Sequence, residues 1–446
     1  MVKRSLAKLL AMIAIGLSST ICVSLIAKVD EPEPLPTEEL RIFAEVYNRI
    51  KSSYVEEVDD KVLIKGAIAG MLDSLDPHSS FLNTEGYNAI QDSSAGQYGG
   101  LGIEVIAEGD ALTIISPIDH SPAKRAGILP GDQIVKVNNT PLRKIKAEDA
   151  LELMRGEIGE TVHLSIRRAG ENKLLEFDLI REIIQLTSIH SKWLGKGMAY
   201  LRITQFQRRT GYDLAIAIGE LRDQADGNIE GLVLDLRNNP GGVLVAATEI
   251  ADAFLEQGLI VSTRGKIISS NTETFAKKGD LLNGAPMVVL INNGSASASE
   301  IVAGALQDQS RAIIMGTRSF GKGSVQTLIT MGEDAALKLT TARYFTPNGR
   351  SIQGSGIVPD IEVAPKEFAS AQETDGEMFE SDLKGALINK NENNGDRKSA
   401  KELVSKKETD VILANDFQLS EAVNLLRGIQ ILSLQSIKES TPSEKQ

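Results

Sequence analysis

Thiols are nearly missing from this chain. The one cysteine, Cys22, falls in an N-terminal apolar stretch, so nothing after that stretch can form a disulfide, a thiolate metal site or a cysteine nucleophile. Histidine is scarce too: His78, His120, His163 and His190 are the four present, and none belongs to an H-E-x-x-H pattern. That argues against a zinc peptidase, and neither a metal nor a cofactor is expected. Aromatic residues make up 4%, with Trp193 the single tryptophan, read as a packing residue. Basic residues are outnumbered, 48 against 60, giving a net charge of −12. A nucleic-acid partner would call for a basic surface, so none is expected. No internal repeat is found.

What is there fits an exported protein of several domains. At 446 residues the chain exceeds one ordinary core, and 42% hydrophobic with 24% charged residues describes a soluble globular body. Lys3, Arg4 and Lys8 precede an uncharged stretch from Leu9 to Ala27, which ends at Lys28 and an acidic, proline-containing tail. Residues 1–28 therefore read as a signal peptide or a membrane anchor. Cleavage after Ala27 and an uncleaved anchor both stay open, and Cys22 lacks a lipoprotein-type context. The expected location is periplasmic, or anchored to the inner membrane with the body outside the cytoplasm.

The body divides by pattern. Over residues 37–95, Thr37 is placed to cap a helix with Leu40, Phe43, Tyr47 and Ile50 at helical spacing. A second helix carries Ile64 to Leu75 and stops at Asp76-Pro77, with His78 read as a turn residue. Residues 97–185 hold short strands (Leu112–Ile115, Gln133–Val137, Thr161–Arg167), a helix near Ala147–Met154, and the pieces GGLGIEV and SPAKRAGILPGDQIVKVNN. These resemble a PDZ domain, in which the amides of Leu101, Gly102 and Ile103 would bind a peptide's terminal carboxylate while its strand pairs with a sheet edge. Residues 186–365 alternate strand and helix. Met198–Ile203 and Gly231–Arg237 read as strands. The turn Asn238–Gly242 leads into a helix with Val245, Ile250, Phe254 and Leu255 as its apolar positions. Residues 366–446 turn polar, with a linker from Asn389 to Asp410 and a last amphipathic helix, Phe417–Arg427.

The most informative stretch is Pro286–Gly323: a buried strand (Met287–Ile291), a serine-rich turn, a helix from Ala298 to Asp308, a short strand, and a loop with Gly321 and Gly323 around Lys322. Ser297 with Glu300 fits the S-x-x-E capping box, while Ser295 and Ser299 could cap the same helix. A serine at a strand-to-helix turn also sits where free N–H groups and the helix dipole favour an oxyanion. As a nucleophile it needs a base, and Lys322 is the candidate. At its ordinary pKa of ~10.4, less than about one lysine in a thousand is neutral at pH 7, so burial must lower that value by roughly three units. A solvated loop lysine is the competing reading.

GSASASEIVAGALQD followed by GTRSFGKGSVQ is similar to the carboxyl-terminal processing (tail-specific) serine peptidase family, and the similarity runs from about Glu38 to about Val363. The resemblance implies an α/β protease core of the ClpP/crotonase-like kind, with an inserted PDZ domain and flanking helices. It implies Ser297 as nucleophile, Lys322 as base, Gln326 orienting the lysine and Asp308 as a third catalytic member. A carboxylate beside the lysine would raise its pKa, so a structural role for Asp308 at its helix end stays open. Gly242 and Ala298 are the implied oxyanion donors. The implied activity is endoproteolysis of proteins recognised by their free C-termini. An adaptor protein, and a homodimer through N- or C-terminal helices, are compatible with it. Two other readings compete: a catalytically silent PDZ adaptor, and a crotonase-like acyl-CoA enzyme.

Overall fold

A computed structural model describes residues 35–366 and 413–440, apart from 109–110, 146, 226, 333–334 and 414. The leader at 1–28 and the linker Asn389–Asp410 lie outside the described residues. The chain falls into two units, residues 1–71 and 72–446.

The first unit holds α1 (Thr37–Ser53) and most of α2 (Asp60–Asp73). Thr37 does not cap α1. Pro36 takes the cap position without any side-chain bond, and Glu38 and Glu39 in the first turn face the positive end of the helix dipole instead. α1 buries none of its residues; Leu40 and Phe43 stay 48% and 46% exposed. Lys51 joins the helices by pairing with Asp60 at 2.7 Å and donating to the Val58 carbonyl.

The second unit begins with the expected turn. The Asp76 carboxylate accepts from the His78 and Ser79 N–H groups and from Ser79 Oγ, at 2.8–2.9 Å. β1 (Ser80–Asn83) and α3 (Thr84–Ala95) follow, with Asn83 capping α3 through the Gly86 N–H. β2 (Gln97–Gly100) then leads into a separate module: β3 (Ile103–Glu108), β4 (Ala111–Pro117), α4 (Pro122–Arg125), β5 (Gln133–Val137), β6 (Thr140–Pro141), α5 (Ala147–Met154), β7 (Thr161–Arg167) and β8 (Leu175–Ile180). Its six strands form one sheet, and Leu112, Ile114, Ile128, Ile134, Leu164 and Ile166 fill a core of their own. β9 (Glu182–Gln185) returns to pair antiparallel with β2, closing the module on a two-stranded stem.

Beyond it run β10 (Ile189–Gly195), β11 (Met198–Ile203), α6 (Thr210–Gln224), β12 (Gly231–Asp235), α7 (Leu244–Asp252), β13 (Leu259–Gly265) and β14 (Thr272–Phe275). They are followed by β15 (Met287–Ile291), α8 (Ala298–Asp308), β16 (Ile313–Gly316), β17 (Ser324–Met331), β18 (Ala335–Phe345), β19 (Ile361–Glu362) and α9 (Phe417–Ser440). One sheet has the order β10-β11-β12-β15-β16-β19, parallel from β11 onward. β12 and β15 are buried at every residue because both faces are covered. Side chains alternate between the faces. Leu232, Leu234, Val289 and Ile291 pack with α6, α7 and α8, whereas Val233, Val288 and Leu290 pack with Leu419, Ala422, Val423 and Leu426 of α9. The last helix therefore docks on the body and runs further than Phe417–Arg427. Val245 is 61% exposed, contrary to the periodicity reading, whereas Ile250 within α7 and Phe254 and Leu255 past its end enter the core as expected. A second sheet, β1-β18-β13-β14 with β17 also paired to β18, carries the segment that follows Lys322.

Candidate active site

The SASAS turn uses its three serines differently. Ser295 Oγ donates to the Leu236 carbonyl at 2.8 Å, and Ser299 Oγ donates to the Asn239 carbonyl at 2.9 Å; both residues are fully buried. Those two hydroxyls tie the turn to the loop after β12. Ser297 lines a cavity of about 540 Å³. Its backbone is held at φ 55°, ψ −110°, a left-handed conformation costly for a side chain other than glycine, which the surrounding bonds must maintain. The chief of these comes from Glu300, whose Oε2 accepts the Ser297 N–H at 2.7 Å.

Glu300 does more than cap. Fully buried, its carboxylate also accepts from the Lys322 N–H (2.9 Å), the Gly321 N–H (2.6 Å) and Ser319 Oγ (2.6 Å). One side chain therefore clamps the SASAS turn to the glycine-flanked lysine loop. Lys322 is half-buried and lines the same cavity as Ser297, and among the described residues no acid pairs with its ammonium. Burial lowers its pKa, the neighbouring Lys338 ammonium lowers it further, and Asp76 pulls the other way. Ser297 and Lys322 share no direct hydrogen bond here; in a substrate-free site such contacts are often long.

The loop Asn238–Gly242 presses against the turn from the other side. Asn239 is fully buried: its amide donates to the Ile203 carbonyl and accepts the Gly241 N–H, and its carbonyl receives the Ala296 N–H. A methyl group on Gly241 would lie 2.9 Å from Ser297 Cβ and 3.0 Å from the Ala298 nitrogen, so only glycine permits this approach. Gly242 lines the cavity at φ 140°. Among the described residues no acceptor is bonded to the Gly242 or the Ala298 N–H, which leaves two donors beside Ser297.

A family profile for Peptidase family S41 matches residues 197–363, one for the PDZ domain matches 113–168, and one for the activating protease CtpB N-terminal domain matches 20–86. A carboxy-terminal-processing protease of Bartonella bacilliformis is 45% identical over 392 residues, covering 88% of this chain and 89% of its own length. The chain belongs to the S41 family of carboxy-terminal processing serine proteases. Carboxy-terminal processing protease CtpB of Bacillus subtilis is 36% identical over 332 residues, 73% of this protease and 68% of its own length. CtpA of the same organism is 34% identical over 325 residues, 72% and 68%.

Gln326 lines the protease cavity, but its amide nitrogen donates to Ser324 Oγ (2.9 Å) and Thr340 Oγ1 (3.3 Å), so no bond reaches Lys322. Asp308 is not brought to the lysine. It stands at the far end of α8, about 15 Å along the axis from Ala298, pairs with Arg350 and accepts the Asn348 N–H. A carboxylate there pins the loop after β18, away from Ser297 and Lys322. In the PDZ domain the Leu101 carbonyl accepts the Ala123 N–H, and the Gly102 carbonyl accepts from the Ile118 N–H and Ser121 Oγ. Trans peptides then turn the Gly102 and Ile103 N–H groups the opposite way. Leu101, Gly102 and Ile103 line a small cavity of about 60 Å³ with Leu151 and Met154. Among the described residues, no group of three or more His, Cys, Asp or Glu side chains is arranged to hold a metal.

Two residues escaped sequence reasoning. Glu300 was visible as a capping-box acid, but its bonds to the lysine loop join positions 19–22 residues apart. Lys338 lies on β18 between Leu328 of β17 and Ser80 of β1, and that sheet pairing places it in the cavity wall.

Proposed function

We propose that the protein is an exported serine endopeptidase that recognises protein C-termini through its PDZ domain and cleaves with a Ser297–Lys322 dyad. The observation that carries this reading is the shared cavity: Ser297 and Lys322 line it together, while the hydroxyls of Ser295 and Ser299 are spent on the fold. Neutral Lys322 takes the Ser297 proton as Oγ attacks the peptide carbonyl. The Gly242 and Ala298 N–H groups stabilise the tetrahedral oxyanion. The lysine then gives its proton to the leaving amine, and it activates the water that releases the acyl group. Bonds to Ser324 and Thr340 fix the Gln326 amide so that its Oε1 is left to receive Lys322 Nζ as the peptide fills the cavity. Apolar walls, including Ile90, Leu244, Val325 and Leu328, exclude water from the amine.

Export is supported by the basic start and the apolar stretch Leu9–Ala27, with the body periplasmic or tethered outside the cytoplasm. The apolar side chains exposed on α1, including Ile42 and Val46, favour pairing with a second copy. The test is mass spectrometry of an unstructured exported protein, with a free or an amidated C-terminus, incubated with wild type or Ser297→Ala. The expected outcome is cleavage of the free-ended protein by wild type only, with the variant still binding it. Cleavage by Ser297→Ala, or equal cleavage of the amidated form, overturns the reading. Binding without cleavage by wild type would mark a silent adaptor.

A further inference from the structure

The loop that carries Gly242 begins directly after Arg237, and Arg237 is held by the opposite end of the chain. Its guanidinium is 11% exposed and lies between two carboxylates. Nε and Nη2 donate to Asp235 at 3.0 and 2.7 Å, while Nη1 and Nη2 donate to Asp416 at 2.9 and 2.6 Å. Gln418 Oε1 accepts a further bond from Nη1 at 3.0 Å. Asp416 also accepts the Leu419 N–H at 3.0 Å, capping the helix that Leu419, Ala422, Val423 and Leu426 hold against the sheet.

Asp235 is fully buried and receives Tyr200 Oη and, at 3.4 Å, Arg202 as well. The cluster therefore balances two guanidiniums with two carboxylates. Losing the Asp416 charge leaves one cation of that cluster uncompensated at low exposure.

The other side of Arg237 leads straight to the chemistry. Asn238, at φ 56°, exchanges hydrogen bonds with Asn292 of the nucleophile turn, at 2.9 Å and 2.8 Å. Asn239 and Gly241 follow with the contacts to Ala296, Ser297 and Ser299 given above. The loop is thus fixed at its start by Arg237 and at its end by the Val243 N–H on the Phe206 carbonyl (2.8 Å).

We propose that the Arg237–Asp416 pair makes the C-terminal helix a positioning element of the oxyanion loop, so that breaking it slows turnover at Ser297 rather than weakening substrate binding. This rests on Gly242 acting as oxyanion donor. A donor is useful only where the oxyanion forms, and a displacement of about an ångström is enough to lose that benefit. Asp416 and Arg237 touch no substrate and act through the loop.

The experiment is steady-state hydrolysis of a fluorogenic peptide by the full chain, comparing wild type, Asp416→Asn and Asp416→Glu, with unfolding of each followed by circular dichroism. Asp416→Asn should lower kcat about tenfold or more, with KM within twofold, at temperatures where the variant stays folded. Asp416→Glu, which keeps the charge, should recover most of kcat. If Asp416→Asn does not fold, Gln418→Met removes a weaker acceptor of the same guanidinium and should show the same split at smaller amplitude. An unchanged kcat with reduced stability overturns the proposal, as does a raised KM with normal kcat. Should wild type and Ser297→Ala hydrolyse the peptide equally, the dyad reading fails instead, and the two failures are told apart by that control.

Discussion

Replacing Glu300 by glutamine tests how far a buried carboxylate organises the site. The glutamine has nearly the same shape, but one oxygen becomes an NH₂ group facing two former donors. If it takes the Oε2 place, the Ser297 and Lys322 N–H groups both lose their acceptor. If it takes the Oε1 place, the Ser319 hydroxyl can turn round and accept, leaving only the Gly321 N–H stranded. The second arrangement costs less. One orphaned buried donor costs about 1–3 kcal/mol, and weakening the remaining charge-assisted bonds adds about 1 kcal/mol more. Glu300→Gln should therefore lose about 2–4 kcal/mol in urea unfolding, a large share of a typical 5–15 kcal/mol. The freed donor is next to Lys322, so kcat/KM should fall about a hundredfold even where the fold persists. A variant within 0.5 kcal/mol (about the scatter of neutral surface substitutions) and within twofold in kcat/KM would refute the clamp.

Gly242→Ala would drive a methyl group to 2.1 Å from the Phe206 carbonyl at φ 140°, so kcat should drop about a hundredfold with peptide binding retained in a pull-down. Asp308→Ala should destabilise by about 1–3 kcal/mol in a thermal melt, because Arg350 loses its partner, yet leave the pH profile of kcat/KM in place. A shifted profile would restore Asp308 to the catalytic set. Lys338→Met removes a like charge that disfavours the Lys322 ammonium, so protonation becomes easier and the rising limb of kcat/KM should move to higher pH. An unmoved limb would show that Lys338 has no electrostatic hold on the base.

The sheet was legible because its physics is local and repetitive. Met287–Ile291 and the apolar part of Gly231–Arg237 are runs suited to a strand covered on both faces; the first lies where expected and the second starts where expected but ends at Asp235. Ser297 and Lys322 were legible through long motifs, and the structure brings them to one cavity. What was not legible depended on partners remote in sequence. Asp308 stays open in the sequence between a catalytic role and a structural one at its helix end, and Arg350 and Asn348, forty or more residues on, favour the structural one. Val245 matched the helical period, yet α7 turns that position to solvent, while Phe254 and Leu255 enter the core from beyond its end. α9 also outran the expected Phe417–Arg427, although its sheet contacts end at Leu426 and the extension leaves Ile431 and Leu432 exposed.

The proposed chemistry turns on one proton transfer, from Ser297 to a lysine amine left unprotonated in a half-dry cavity. The most direct measurement is the rate of Ser297 acylation by a fluorophosphonate as a function of pH, for wild type and Lys322→Ala. The expected result is a rate that rises with unit slope and levels off below the ordinary lysine pKa of about 10.4, because burial and Lys338 hold Lys322 down, and a variant that is barely acylated at any pH. A rate still climbing through 10.4, or a Lys322→Ala variant acylated as fast as wild type, would contradict it.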